Sequence, residues 1–265
     1  MTELPPPLLT FVHISDTHIH GDPTHNTSVA RFSSRVPVLN LIHTINHLTL
    51  PVDFVLHTGD IIHDRTRPED YTTARELLDQ LRYPVYYVAG NHDSMPDVKA
   101  QMAPNYDYPG DGAYYSVDVD GVQMIALDST LPEEATGQID GAQLAWLEAL
   151  CEDETDTRPL IVAVHHHPLP TAAPWLDTIG MRNGDDLHAT LLHARHRLRG
   201  VFYGHIHETA TTVRDGISYY SVQSGWYQTQ THYNQQEPST PAQQRGGFNL
   251  VTLTETDTFV RPVRL

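Results

Sequence analysis

The sequence predicts a mixed α/β fold, with helices packed outside a sheet system that holds both parallel and antiparallel strands. Short apolar runs of strand length alternate with helical segments, which is typical of parallel strands joined by helices. Paired apolar runs also flank two turns, Asp120-Gly121 and Asp215-Gly216, and such pairs indicate antiparallel hairpins. At 265 residues the chain is near the upper size for one hydrophobic core, so we expect one domain over residues 1–265.

The first half of the chain holds the clearest alternation of strands and helices. Strands are predicted at residues 9–14, 54–56 and 85–89, each a short apolar run. A helix is predicted from Pro37 to about Leu48, because an apolar residue recurs every three positions. The predicted apolar stripe consists of Val36, Leu39, Ile42, Ile45 and Leu48, widened by Val38 and Leu41. Further helices are predicted at residues 69–81 and 95–102.

In the second half, hairpins interrupt the alternation. The hairpins pair residues 114–119 with 122–127, 210–213 with 217–222, and 248–253 with 258–263. Buried strands are predicted at 160–164 and 201–203, and helices at 143–150 and 185–196, the latter with Gly184 or Asp185 near its N-cap. Residues 228–247 are rich in Gln, Thr and Pro without periodicity, so we expect a loop or lid there.

Composition excludes some functions and leaves others open. There are 16 Lys and Arg against 33 Asp and Glu, and a net charge of -17 argues against binding a nucleic-acid polymer. A small phosphate ester is not excluded, because bound metal ions reverse the local charge of a pocket. A single cysteine, Cys151, allows no intramolecular disulfide, and no run approaches the roughly 18 apolar residues of a membrane span. Residues 1–7 lack the basic region of a signal peptide, so we expect a cytoplasmic protein without membrane association.

Five of the predicted strands end in polar residues of the kinds that bind metal ions. In α/β sheets, ligands gather at the carboxyl ends of the strands, so these five segments can meet at one edge. In chain order they contribute Asp16 and His18, then Asp60, then Asn91, His92 and Asp93, then His165, His166 and His167, and finally His205 and His207. Imidazole suits Zn, Fe, Ni and related ions, while carboxylate and carbonyl oxygens suit harder ions such as Mn.

The spacing within these segments supports a shared pocket. Residues two apart in an extended segment point to the same side, which predicts that Asp16 and His18 face one pocket, as do His205 and His207. The same alternation makes His167 a competitor of the first histidine in its triplet. Turn chemistry is the alternative for the whole set, since Asp and Asn are common at strand ends, but turns give no reason for His.

This set of motifs resembles the calcineurin-like metallophosphoesterase superfamily, and within it the class III cyclic-nucleotide phosphodiesterases and the glycerophosphodiesterases. The resemblance rests on Asp16-x-His18, Gly59-Asp60, Gly90-Asn91-His92-Asp93, His165 and Gly204-His205-x-His207, in order between about residues 11 and 227. Any one motif is weak, but five in order make chance implausible. The family's His-His-Pro-Pro pattern has the first His as ligand, which favours His165, although His167 stands where the family often has Pro.

The resemblance implies a four-layer α/β/β/α sandwich of mixed sheets that binds two divalent or trivalent metal ions, drawn from Fe, Mn, Zn or Co. One ion would be held by Asp16, His18, Asp60 and His207, and the other by Asp60, Asn91, His165 and His205, with Asp60 bridging them. A metal-bound hydroxide would attack phosphorus. His92 would contact the phosphate and assist the leaving group, with Asp93 orienting it. Asn91 and Asn183 are further expected substrate contacts.

The function expected from this resemblance is hydrolysis of phosphodiester bonds in a small substrate, a 3',5'-cyclic nucleotide or a small glycerophosphodiester. A phosphomonoesterase or protein phosphatase of the same superfamily stays open, because such enzymes share the His92 position. A non-catalytic metal-binding scaffold is less favoured, since such a protein would be expected to lose ligands and all seven are present. Related enzymes often associate, so a homo-oligomer also stays open.

Overall fold

Within residues 6–241 and 245–265, which a computed structural model describes, the chain forms eleven strands and six α-helices. The strands are β1 (Leu9–Ile14), β2 (Phe54–His57), β3 (Val85–Tyr87), β4 (Tyr115–Val119), β5 (Val122–Ala126), β6 (Leu160–Ala163), β7 (Leu198–Tyr203), β8 (Thr211–Arg214), β9 (Ile217–Ser221), β10 (Gly247–Leu253) and β11 (Thr258–Arg264). The helices are α1 (Arg35–Asn46), α2 (Asp70–Leu78), α3 (Met95–Asp97), α4 (Gly141–Cys151), α5 (Pro174–Asp177) and α6 (Gly184–His193), and a π-helical turn over Val98–Met102 continues α3.

The strands form two mixed sheets, as the sequence predicted. In the first sheet, with the order β11-β10-β1-β2-β3, strands β1, β2 and β3 are parallel, while β10 runs antiparallel to both of its neighbours. In the second sheet, with the order β4-β5-β6-β7-β9-β8, strands β5, β6, β7 and β9 are parallel, and β4 and β8 are antiparallel edges. The carboxyl ends of the parallel strands therefore share one edge in each sheet.

The two sheets pack face to face, and helices cover the outer face of each. Between the sheets lies a buried cluster that includes Phe11 from the first sheet and Phe202 from the second. Helices α1 and α2 pack on the first sheet through residues such as Leu41, and α4 and α6 pack on the second through residues such as Leu191. The layers follow the order α/β/β/α, which confirms the predicted four-layer sandwich.

Phe11 lies at the centre of the core between the sheets, where its ring stacks on Phe54 at 4.8 Å and meets Phe202 edge-on at 5.2 Å. Replacing Phe11 with Ala should lower the free energy of unfolding by about 3–5 kcal/mol, because it leaves a cavity in a closed core. Urea denaturation measures the difference. The control is Phe259→Ala, which should cost about 1 kcal/mol or less, since Phe259 is 40% exposed. If Phe11→Ala lowered the free energy of unfolding no more than Phe259→Ala does, that result would contradict this packing.

Helix α1 buries only part of the predicted apolar stripe. It begins at Arg35 rather than Pro37, and its buried residues are Val38, Leu41, Ile42 and Ile45. Val36 is 64% exposed and Leu39 is 36% exposed, although both belong to the predicted stripe. Because an α-helix turns about 100° per residue, positions three apart drift by about 60° at each step, so a strict three-residue stripe winds off the buried face.

Several other elements have shifted ends. Helices α2 and α6 end at Leu78 and His193, each three residues before its predicted end. The N-cap of α6 is Asn183, rather than Gly184 or Asp185. Helix α5 is absent from the sequence predictions, because four residues are too few to show a helical period.

The predicted loop at residues 228–247 has neither helix nor strand from residue 228 to 241, and β10 begins at Gly247. Residues 242–244 of that loop lie outside the described residues, as do residues 1–5 of the segment judged not to be a signal peptide. Within the described ranges, no helix is long and apolar enough to cross a membrane. The expectation of one domain stays a prediction.

Candidate metal centre

The seven predicted metal ligands meet in one buried cluster after the carboxyl ends of parallel strands. Strand β1 leads into Asp16 and His18, β2 into Asp60, β3 into Asn91, β6 into His165, and β7 into His205 and His207. All seven are buried, and the most exposed of them, His205, is only 8% exposed. Polar side chains buried so completely need partners that satisfy their charges and hydrogen-bonding groups.

The backbone at these residues is not the extended chain on which the sequence prediction relied. Asp16, His18, Asp60, His205 and His207 all have positive φ, from 42° at His18 to 69° at His205. Residues with a side chain rarely adopt this left-handed region, and each such residue costs of order 1–3 kcal/mol, which interactions with the surrounding structure must offset. Left-handed turns directly after the strands, and not strand alternation, therefore bring the paired ligands together.

Two glycines make room for Asp60. Gly59 has a φ of 97°, a conformation that glycine adopts without the steric cost of a Cβ atom. A Cβ atom at Gly90 would collide with the main-chain nitrogen and Oδ1 of Asp60. Gly59 therefore allows a turn with positive φ, whereas Gly90 is needed because two chain segments approach each other closely.

One group of donors consists of Asp16, His18, Asp60 and His207, whose ligand atoms all lie within 4.8 Å of one another. Nε2 of His18 lies 3.1 Å from Nε2 of His207 and 3.6 Å from Oδ2 of Asp60. Nε2 of His207 lies 3.3 Å from Oδ1 of Asp16. Imidazole nitrogens and carboxylate oxygens gathered this closely are a donor set for a first-row metal ion.

A second group shares Asp60 with the first. Nε2 of His165 lies 3.4 Å from Oδ2 of Asp60, 3.0 Å from Oδ1 of Asn91 and 3.2 Å from Nδ1 of His205. The same oxygen of Asp60 therefore lies beside His18 in one group and His165 in the other. A carboxylate placed in this way can bridge two ions.

Backbone carbonyls hold three of the histidines through their outer ring nitrogens. Nδ1 of His165 donates to the carbonyl of Thr58 (2.7 Å), Nδ1 of His207 to that of Tyr227 (2.9 Å), and Nε2 of His205 to that of Ile179 (3.0 Å). Because a carbonyl only accepts, each outer nitrogen must carry a proton, so the inner nitrogen is the one left to bind a metal ion. Histidines that bind metals are usually held like this, so the residues fit two metal ions.

The charge states of the cluster also suit cations. Burial alone would raise the pKa of Asp60, but the imidazoles of His165, His92 and His18 hold that pKa well below its usual range. Burial lowers the pKa of His18 and of His205 well below the usual value, so both are neutral. Burial also disfavours the charged form of His165, yet the carboxylate of Asp60 raises its pKa to about 9. A metal ion must therefore displace a proton from His165.

His92 is positioned by Asp60 and by the backbone of His63. Its main-chain N–H donates to Oδ1 of Asp60 at 2.8 Å, and its Nδ1 donates to the carbonyl of His63 at 2.6 Å, which leaves Nε2 for a substrate. The prediction that Asp93 orients His92 is wrong. The carboxylate of Asp93 instead accepts from the N–H groups of Ile61, Ile62 and Gly90 and from the hydroxyl of Tyr71. Asp93 thereby ties the segments after β2 and β3 together.

His63 has a role that the sequence predictions do not include. Its carbonyl holds His92, and its ring lies 5.6 Å from the ring of His92 and 5.3 Å from that of Trp226. No sequence signal marks it, because a main-chain carbonyl has no residue signature and His63 sits in an irregular segment.

The histidine triplet divides its members between the centre and its surroundings. His165 faces the donor groups, whereas the ring of His167 stacks on His205 at 5.7 Å and its Nε2 lies 3.8 Å from Asp177. This geometry favours His165 over His167 as a ligand. His166 lies within hydrogen-bond distance of Ser129, at 2.7 Å from Nδ1 to Oγ, and one of its ring nitrogens is also within 4.8 Å of those of His165 and His205.

The side chain of Asn183 forms two hydrogen bonds with the main chain of Ile139. Its Oδ1 accepts from the N–H of Ile139 at 3.0 Å, and its Nδ2 donates to the carbonyl of Ile139 at 2.9 Å. These bonds tie the start of α6 to the segment before α4. The predicted substrate contact of Asn183 stays a prediction, and its observed bonds favour a structural role.

A groove opens beside the second donor group. Asn91 and His92 line a cavity of about 430 Å³ together with residues 63–66, Glu133 and Ala135. Ligand sites for small molecules usually have volumes of about 300–1,000 Å³. The groove therefore has room for a small substrate whose phosphate lies at the cluster.

Comparisons with known proteins agree with this geometry. Residues 9–209 match the family model described as calcineurin-like phosphoesterase. Glycerophosphodiester phosphodiesterase GpdQ of Enterobacter lignolyticus (strain SCF1) is 31% identical over 207 residues, which cover 77% of this chain and 73% of that protein. The 3',5'-cyclic adenosine monophosphate phosphodiesterase CpdA of Pseudomonas aeruginosa is 34% identical over 197 residues, which cover 74% of this chain and 69% of that protein.

A solved structure shares the fold. A dimetal phosphatase from Danio rerio matches with a TM-score of 0.74 over 98% of this chain and 96% of its own, at 16% identity. At that identity the likeness concerns the arrangement of the layers only.

Proposed function

Since the chain belongs to the calcineurin-like phosphoesterase family, we propose that its seven-residue centre is a binuclear metal site that hydrolyses phosphodiester bonds. The observation that carries the proposal is the position of Asp60. Its Oδ2 lies 3.6 Å from Nε2 of His18 and 3.4 Å from Nε2 of His165, so it contacts one histidine of each donor group. Two donor groups that share one carboxylate are an arrangement that can hold two neighbouring ions.

We assign one ion to Asp16, His18, Asp60 and His207, and the other to Asp60, Asn91, His165 and His205. The mixed nitrogen and oxygen donors suit Fe, Mn, Zn or Co. When bound, the two ions would clamp a phosphoryl group and lower the pKa of a water molecule, which supplies the nucleophile for hydrolysis.

The chain's own residues then position the substrate and move a proton. Oδ1 of Asp60 anchors the main chain of His92 at 2.8 Å, so one carboxylate fixes both the centre and the imidazole beside it. In its imidazolium form, with Nδ1 still bonded to the carbonyl of His63, His92 can donate the proton on Nε2 to a phosphoryl oxygen or to the leaving oxygen, where charge develops in the transition state. The amide of Asn91 is a further proposed substrate contact, because it borders both the centre and the groove.

The substrate that we propose is a 3',5'-cyclic nucleotide or a small glycerophosphodiester. Both are small phosphodiesters, they are the substrates named for the two relatives, and a groove of about 430 Å³ has room for either. The net charge of -17 disfavours a nucleic-acid polymer. We also propose a cytoplasmic location, supported by the lone Cys151, and a homo-oligomer remains an expectation by resemblance.

The proposal predicts that the protein cleaves bis(p-nitrophenyl) phosphate faster than p-nitrophenyl phosphate. Protein stripped of metal should be inactive, and added Mn²⁺ should restore cleavage, because the ions supply the nucleophile. The measurement is the release of p-nitrophenolate from each substrate, with Asn91→Ala as a variant that loses a ligand. A faster reaction with the monoester would favour the phosphomonoesterase or protein phosphatase alternative. Inactivity with every metal would favour a non-catalytic scaffold.

A further inference from the structure

Three imidazoles adjoin the proposed centre and form a second possible donor set. His18, His63 and His92, here called the imidazole triad, each place one ring nitrogen within 4.8 Å of the other two. Their ring centroids are 4.7 Å apart for His18 and His92, 5.6 Å for His63 and His92, and 5.8 Å for His18 and His63. His63 and His92 are not among the seven ligands, so the triad differs from both groups assigned above.

Each member of the imidazole triad has a ring nitrogen to offer. Nε2 of His18 faces Nε2 of His207 at 3.1 Å, whereas its Nδ1 is buried and makes no hydrogen bond within the described residues. Nδ1 of His63 is also buried without a hydrogen-bond partner there. His92 uses Nδ1 on the carbonyl of His63 and keeps Nε2. Because His18 is only 2% exposed, its unpartnered nitrogen carries a desolvation cost that a bound ligand would relieve.

We propose that the imidazole triad is an additional, inhibitory binding site for a zinc ion. Three imidazoles are a known zinc donor set that leaves a fourth position open. Imidazole selects Zn²⁺ over Mn²⁺ or Mg²⁺, which prefer oxygen ligands. The ion binds Nδ1 of His18, while Nε2 of His18 serves the centre. The proton on Nδ1 is released to solvent, since metal binding displaces protons from its ligands.

Zinc at this site would block the proposed reaction. His63 and His92 line the groove beside the centre, so the ion would stand at the wall where the substrate binds. It would also occupy Nε2 of His92, the nitrogen proposed to contact the phosphate. Excess zinc is therefore expected to inhibit the enzyme even when the binuclear centre is filled, a consequence that rests on the proposed function.

The first test counts zinc ions per chain and needs no substrate. Metal-free wild type, His63→Gln and His25→Gln are dialysed against the same buffered free zinc and analysed for bound metal. His25 is the matched control, because its ring packs 4.7 Å from that of His63 but does not belong to the triad. Wild type and His25→Gln should bind one zinc more than His63→Gln. His63→Phe keeps an aromatic ring at this position but has no ligand nitrogen, so it should also lack that zinc, which separates a lost ligand from altered packing.

The second test follows activity as zinc is raised beyond the amount that fills the centre. Wild type and His25→Gln should lose at least about tenfold in rate, because His92 is withdrawn from proton transfer. The rate of each His63 variant with excess zinc should differ by less than about twofold from the rate of the same variant without it. Equal zinc counts in all four proteins, or equal inhibition in the His63 variants, would overturn the proposal. If every protein were inactive, the phosphodiesterase proposal would fail, while the zinc count would still decide this one.

Discussion

Replacing Asp60 with Ala is expected to lower the rate of diester hydrolysis by about 10³-fold or more. Asp60 belongs to both donor groups, so its loss removes a ligand from each proposed ion, and the charge stabilisation that metals supply is worth several kcal/mol. The change also removes the Oδ1 atom that accepts from the main chain of His92. The measurements are kcat/KM with saturating Mn²⁺ and the metal retained after desalting. The retained metal should fall from two ions per chain to one or fewer.

Two further variants show whether the effect of Asp60→Ala is specific to the charge at this position. Asp60→Asn keeps the shape but removes the charge, so it should also lose most of the activity. Asp79→Ala removes a carboxylate that is 51% exposed beside Arg75, and it should stay within about twofold of wild type. If Asp60→Ala kept both ions and more than about a tenth of the activity, Asp60 could not be the bridging ligand.

Replacing His92 with Ala is expected to lower kcat by about 10²–10³-fold while both metal ions stay bound. His92 is held beside the centre by Asp60 and the His63 carbonyl but contributes no metal ligand to either donor group. The loss should be larger for alkyl diesters than for p-nitrophenyl diesters, because a more basic leaving oxygen depends more on a proton donor. The measurement is kcat for a series of diesters whose leaving groups differ in pKa.

The control for His92 is His43→Ala, since His43 is exposed on α1, and its rate should match wild type. A purely structural role for His92 would lower the rate equally for every leaving group. Loss of a metal ion from His92→Ala would place His92 among the ligands and contradict the assignment made here.

Much of the fold and the gathering of the ligands follow from local sequence patterns. The dipeptide Asp-Gly is strongly favoured in tight hairpin turns. The hairpins β4–β5 and β8–β9 occur where they were predicted, around Asp120-Gly121 and Asp215-Gly216. Asp60 and His165 directly follow short apolar runs. Because parallel strands end at one edge of a sheet, residues this far apart in the chain could be expected to meet.

The remaining features depend on contacts that no local pattern encodes. The left-handed backbone at Asp16 and His205 is held by a long-range bond, in which the main-chain N–H of His205 donates to the Asp16 carboxylate, 3.0 Å from Oδ2. The carbonyl of His63 that orients His92, and the backbone groups that engage Asp93, likewise carry no residue signature. Sequence motifs thus predicted which residues assemble, while the turns and supporting bonds required the folded chain.

The most direct test of the binuclear centre is anomalous X-ray diffraction from crystals of the protein grown with Mn²⁺. Manganese prefers oxygen-containing sites to the imidazole triad, so two anomalous peaks are predicted, both at bonding distance from Asp60. One peak should also contact His18 and His207, and the other Asn91 and His165. A single peak, or two peaks that do not share Asp60, would contradict the account.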